Sequence, residues 1–271
     1  MVLEDPQPVS DIGSRRTTRV EDAPQLRTSS AYSSHPGLRP GLEPYANRPG
    51  ERGDLFWEPS VFAELITTLE RRGFPCHVHA TGDRGIRTAL DAFETARAAN
   101  GPGDRRHAIV HVECLAPDDI TRFAALGVIP VMQPRHCPPE IVADWRANVG
   151  PDRWRHAWAF RSLRDAGAEL SFSSDWNVAD LHRAVARRPR RRRAWVPEET
   201  VDLDTALRTY TYGGARTVFA ESKRGVLREG AVADLALLSQ DPFTFAPDDL
   251  RRFLDTRVEL TVVDGAVVHR V

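Results

Sequence analysis

From Pro59 to Val218 the period of the apolar residues switches repeatedly, and that alternation constrains the fold more than any other feature. Pro59 to Arg72 carries Val61, Phe62, Leu65, Ile66 and Leu69 at helical spacing, with Gly73 just beyond. Phe74 to His79 reads as a short buried strand. Ile86 to Ala99 is a second helix, with Ile86, Leu90, Phe93 and Ala96 on one face. The pattern continues with a strand at Ala108–Val112, a helix at Pro117–Leu126 and a strand at Val128–Met132. It ends with a helix at Trp158–Ala166, a strand at Glu169–Ser173 and a helix at Leu203–Val218. Strands alternating with helices predict an α/β fold, a parallel sheet with helices outside it.

The flanks differ. Residues 1–50 are rich in Pro, Ser, Arg and Gly without a sustained period, and read as an irregular, flexible segment. Residues 51–221 hold the alternating core. Residues 222–271 read as a small β unit, with strands at Ala233–Leu238 and Val258–Val263. Asp264-Gly265 then signals a hairpin into Ala266–Val268.

Chemical capability concentrates at the strand ends. One strand ends His77-Val78-His79, a second carries His111, a third runs into Gln133-Pro134-Arg135-His136, and a fourth into Ser173-Ser174-Asp175-Trp176. In a parallel α/β barrel, catalytic groups gather at the C-terminal ends of strands. Imidazoles converging there with a carboxylate suit a zinc-type divalent metal. Each histidine alone is more often a hydrogen-bonded core residue than a ligand; several at matching strand ends shift the balance toward a metal. His77 and His79 share a face of one strand, so a His-x-His metal pair is a further possibility.

The same residues resemble a known family. His79-Ala80-Thr81-Gly82-Asp83-Arg84, Arg106-His107-Ala108-Ile109-Val110-His111, Gln133-Pro134-Arg135-His136 and Ser173-Ser174-Asp175-Trp176 are similar, in order, to motifs of amidohydrolase family 3. This branch of the metal-dependent amidohydrolases includes N-substituted formamide deformylase. Ala206 to Thr211 and Gly225 to Leu235 match two further motifs.

The resemblance implies the C-terminal part of a (β/α)8 TIM-type barrel, strands 5–8, followed by part of a small β-sandwich. It implies that His79, His111 and Asp175 are metal ligands, with zinc the expected metal. Asp175 is also the expected catalytic proton shuttle. Arg135 and His136 fall where substrate contacts are expected, and Asp83 where a residue orients a ligand or a loop. On this picture the His77–His79 pairing is coincidental. The implied activity is hydrolysis of non-peptide C–N bonds in a small amide, formamide or cyclic amide by metal-activated water.

The departures also carry information. The family's strand 1 His-x-His and its strand 4 ligand have no counterpart here, and Val110 stands where a glutamate precedes the strand 6 histidine. A truncated or degenerate, non-catalytic homologue serving as a subunit or binding module therefore stays open. So does a barrel completed by homo-oligomerisation or by a complementing N-terminal chain.

Composition narrows the rest. A net charge of −1 argues against general nucleic-acid binding. Arg187 to Arg193 is a basic run, read here as a solvated segment of an arginine-biased chain in which Lys223 is the sole lysine. Three dispersed cysteines, Cys76, Cys114 and Cys137, build no disulfide framework and no zinc-binding CxxC. With no long apolar run and no signal-like start, the expected compartment is the cytoplasm, with no membrane partner.

Overall fold

The computed structural model describes residues 41–136, 145–174, 196–246 and 249–271. Among them, four parallel strands form a sheet in sequence order: β1 (His77–Ala80), β2 (Ala108–His111), β3 (Ile129–Met132) and β4 (Ser171–Phe172). Helices α1 (Pro59–Arg71) and α2 (Asp83–Asn100) flank β1, and α3 (Ile120–Leu126) links β2 to β3. Crossover connections of this kind are what parallel pairing requires.

Helix α1 buries Phe62 and Ile66, which pack in one core with Ile86, Leu90 and Phe93 of α2. Val61, counted in the sequence stripe, is half exposed. Glu70 takes a core position instead, because His107 and Asn100 satisfy its carboxylate. The His107 Nε2–Glu70 Oε2 distance is 2.9 Å, and Asn100 donates to Oε1 at 3.1 Å. Helix α2 begins at Asp83, three residues before the first apolar position. The Asp83 carboxylate accepts the Arg84 N–H at 2.8 Å and so extends the helix start.

Two other boundaries shift for physical reasons. The helix expected from Trp158 begins only at Phe160, as α4 (Phe160–Asp165). Trp158 sits at φ +46°, a left-handed conformation that a right-handed helix excludes, and its N–H donates to the Glu113 carbonyl. The strand expected over 169–173 pairs only at Ser171 and Phe172. The long C-terminal helix is α5 (Leu203–Arg208), a π-helical stretch (Thr209–Gly213) and α6 (Gly214–Thr217).

Residues 41–50 are irregular, as the sequence suggests, yet they are tied down. Gly41 N–H donates to Arg52 O, and Ala46 N–H donates to Asn148 O. The C-terminal unit is a separate antiparallel sheet of β5 (Leu235–Leu238), β6 (Val258–Val263) and β7 (Ala266–Arg270), with α7 (Leu250–Asp255) between the first two strands. Asp264 and Gly265 both have positive φ, the backbone of a tight hairpin turn. Leu235, Leu237, Val267 and Val268 are exposed on this sheet.

Arg106 links the segment before β2 to the segment after α6. It pairs with Glu221 at 2.8 Å and lies 3.9 Å over the Phe219 ring. Among the described residues, no helix is long and apolar enough to cross a membrane.

The pleat sorts the parallel sheet into two faces. Val78 and Ala80 of β1, with Ile109 of β2, turn into the core. His77 and His79 alternate with them and lie on the other, half-buried face, level with Ala108 and Val110.

Candidate metal centre

The site assembles where β1, β2 and β3 end. Register sets Ala80 beside His111, which would send His111 to the face opposite His79. Two consecutive positive φ angles, +83° at His111 and +50° at Val112, interrupt the pleat. The His111 imidazole consequently meets His79 edge-on, with ring centroids 4.2 Å apart. Non-glycine residues in this region cost of order 1–3 kcal/mol each. The backbone beyond holds them there: Val112 N–H donates to Ala80 O, and Cys114 N–H donates to Thr81 O.

His136 closes the group from β3's side. It ends a single 3₁₀ turn, Pro134–His136, whose N–H to Gln133 O bond fixes the loop as it leaves the sheet. Its ring stacks near that of His111, with centroids 5.5 Å apart and planes 16° from parallel. Gln133 is buried and donates to Ser173 Oγ at 2.9 Å, which ties the ends of β3 and β4 together.

Between His111 and His136 stands a carboxylate that the strand-end motifs do not contain. Glu113 Oε1 lies 3.6 Å from His136 Nδ1 and 3.9 Å from His111 Nδ1. One ligand atom from each of His111, Glu113 and His136 lies within 4.8 Å of the other two. Glu113 is 2% exposed. Its backbone is pinned on both sides: Trp158 N–H donates to its carbonyl, and the next residue, Cys114, bridges to Ala157. The signal in the sequence was the spacing His111-x-Glu113, two residues apart at a strand end.

Three imidazoles and one carboxylate form a nitrogen and oxygen donor set suited to a zinc-type cation. The residues therefore fit the metal that the sequence resemblance implies. His79 is in ring contact with this cluster but outside the tight group of three.

The remaining sequence candidates divide. Asp83 is buried, and besides Arg84 its Oδ1 accepts the Leu42 N–H at 2.7 Å, so it fastens the segment entering at 41–42 onto α2. Burial raises its pKa, against the opposing pull of these N–H groups and of Arg153. Arg135 lies in the turn that carries His136. Asp175, Cys137 and the Arg187–Arg193 run lie outside the described residues. His77 opens β1 on the same face as His79; burial, then the neighbouring His107, holds its pKa low. Cys76 and Cys114 are buried thiols, and burial followed by Glu70 pushes Cys76 up to about 12.

Comparison with known proteins follows the same line. Residues 27–269 match the amidohydrolase family. The chain is 31% identical over 236 residues to Protein LONG AFTER FAR-RED 3 of Arabidopsis thaliana, covering 84% of this chain and 40% of that protein. It is 29% identical over 225 residues to N-substituted formamide deformylase of Arthrobacter pascens, covering 79% of this chain and 40% of the relative. A metal-dependent hydrolase structure from Pyrococcus horikoshii superimposes with a TM-score of 0.68 at 26% identity, over 83% of this chain and 46% of the other. The chain thus spans about two fifths of the length of the curated relatives it matches.

Proposed function

The chain belongs to the amidohydrolase family, and from that premise we propose that it is a metal-dependent hydrolase of non-peptide C–N bonds in small amides, formamides or cyclic amides. The observation that carries this reading is the convergence of His79, His111, His136 and Glu113 at the ends of three adjacent parallel strands. That is where the catalytic groups of parallel α/β barrels gather, and the sheet is read here as strands 5–8 of such a barrel. The similarity to a deformylase of N-substituted formamides supports the choice of bond.

His79 and His111 would hold the metal, with Asp175 joining from the segment after β4. When bound, a zinc-type cation supplies Lewis acidity toward a carbonyl oxygen and brings the pKa of water toward about 7. The chain's own residues handle the protons. Asp175 accepts the proton of the attacking water as its oxygen bonds to the carbonyl carbon. It then delivers that proton to the leaving nitrogen, the C–N bond breaks, and an acid and an amine depart. Arg135 takes the substrate role in this reading, since a guanidinium can hold a polar group of an amide.

The test is release of amine from a panel of N-substituted formamides, amides and cyclic amides by zinc-reconstituted protein. Turnover that disappears in D175N supports the reading, and an unchanged rate in D175N overturns it. A second reading, a non-catalytic subunit that pairs with another polypeptide, is favoured by the exposed apolar residues Leu235, Leu237, Val267 and Val268 on the C-terminal sheet. A stable complex in sedimentation, formed by protein that carries no metal, would support it.

A further inference from the structure

We propose that Glu113 is itself a metal ligand, and that with His111 and His136 it forms a two-histidine, one-carboxylate site. The proposal rests on the metal-dependent reading above and deepens it. It moves His136 from the substrate side to the metal side, and puts Glu113 and His136 in the ligand places given above to His79 and Asp175, with Asp175 keeping its role toward the proton.

Four observations on these residues point the same way. The first is distance. Glu113 Oε1 stands 3.6 Å and 3.9 Å from the two Nδ1 atoms, beyond hydrogen-bond length. Donors about 2.1 Å from a tetrahedral zinc lie about 3.4 Å from one another. The observed spacings approach that edge length more closely than they approach a hydrogen bond.

The second is burial. Glu113 is 2% exposed, so little water competes with a cation held between two imidazoles and this carboxylate.

The third is rigidity. Glu113 is pinned through its carbonyl by Trp158 N–H and through Cys114 by the bridge to Ala157. His111 is fixed by an interrupted pleat, and His136 by a 3₁₀ turn. Ligands placed before the ion arrives bind it with less reorganisation.

The fourth is donor chemistry. Two histidines and one carboxylate, with a position left open, is a set that catalytic zinc sites use.

The experiment is calorimetric titration of the full chain with zinc, together with cobalt(II) absorption spectra, for the wild type and E113Q. A carboxylate that only orients a ligating histidine is worth about 10–100-fold in metal affinity. E113Q is expected to lose more than about 100-fold and to change the cobalt band, while circular dichroism stays that of the wild type. H136A should behave alike. If E113Q does not fold, X-ray absorption at the zinc edge of the wild type decides. Two imidazole nitrogens with a carboxylate oxygen that disappears in E113A would support the proposal, and a carboxylate oxygen that persists there would overturn it. Wild-type protein that binds zinc while E113Q binds within about threefold, with the same cobalt spectrum, overturns the proposal and leaves the metal-dependent reading standing. Wild-type protein that takes up no zinc overturns both.

Discussion

The imidazole of His79 meets that of His111 edge-on, with centroids 4.2 Å apart, although the sheet register sets His111 beside Ala80. The meeting depends on the left-handed backbone at His111 and Val112. A regular strand would carry the two rings to opposite faces. Backbone held off its preferred regions at the buried His111 is the kind of local cost that packing elsewhere sustains.

Asp83 is a fastening point for the segment that enters the domain. Its carboxylate accepts N–H groups from Leu42 and Arg84, and it lies in the first turn of α2, where a negative charge is favoured. D83A is expected to lower unfolding free energy by about 2 kcal/mol, and D83N by less because one acceptor oxygen remains. Urea unfolding of the two variants measures the difference.

His107 links pH to stability. Its Nδ1 accepts the Cys76 N–H at 3.0 Å, so the ring proton sits on Nε2 and donates to Glu70. Burial holds its pKa below the usual value, against the opposing effect of Glu70. As pH falls, the unfolded chain therefore takes up this proton first. The stabilisation is complete above about pH 6.5 and is lost as pH drops toward the depressed folded value, at about 1.4 kcal/mol per unit of pKa difference. Urea midpoints recorded from pH 8 to pH 5 should fall, and H107Q should flatten that fall.

Gly213 marks a close approach of the π-helical stretch to β4. A Cβ there would stand 2.4 Å from the Leu170 carbonyl oxygen and 3.1 Å from Ser171 Cα, both backbone atoms that cannot swing aside. G213A should destabilise the protein by roughly 1–3 kcal/mol. Because Asp175 follows β4 in sequence, the proposed hydrolysis should fall in G213A by more than lost folded protein explains. Parallel denaturation and activity assays at saturating zinc check this.

Much of the fold could be read from residue patterns, because periodicity reports which side chains are buried. Ile86, Leu90, Phe93 and Ala96 of α2 line the core as their spacing required. Asp264-Gly265 turns the chain because both residues accept positive φ. The late start of α4 could not be read, because Trp158 has no sequence mark of a left-handed residue; a tertiary bond to Glu113 holds it there. Single motifs marked His79 and His111, whose rings the structure brings into contact. Glu113 carried only its spacing from His111, because its partner His136 lies beyond a helix and a strand, and only the fold closes that distance. The entry of Glu70 into an apolar stripe was hidden for the same reason, since His107 and Asn100 come from other elements.

The most direct test of the central claim is elemental analysis of the purified, zinc-reconstituted chain after dialysis, with H79A and H111A beside it. The account predicts about one zinc per wild-type chain, as a single site of this donor set holds, and background metal in H111A with the fold intact. A folded wild-type chain without metal, or an H111A variant that keeps its zinc, would contradict it.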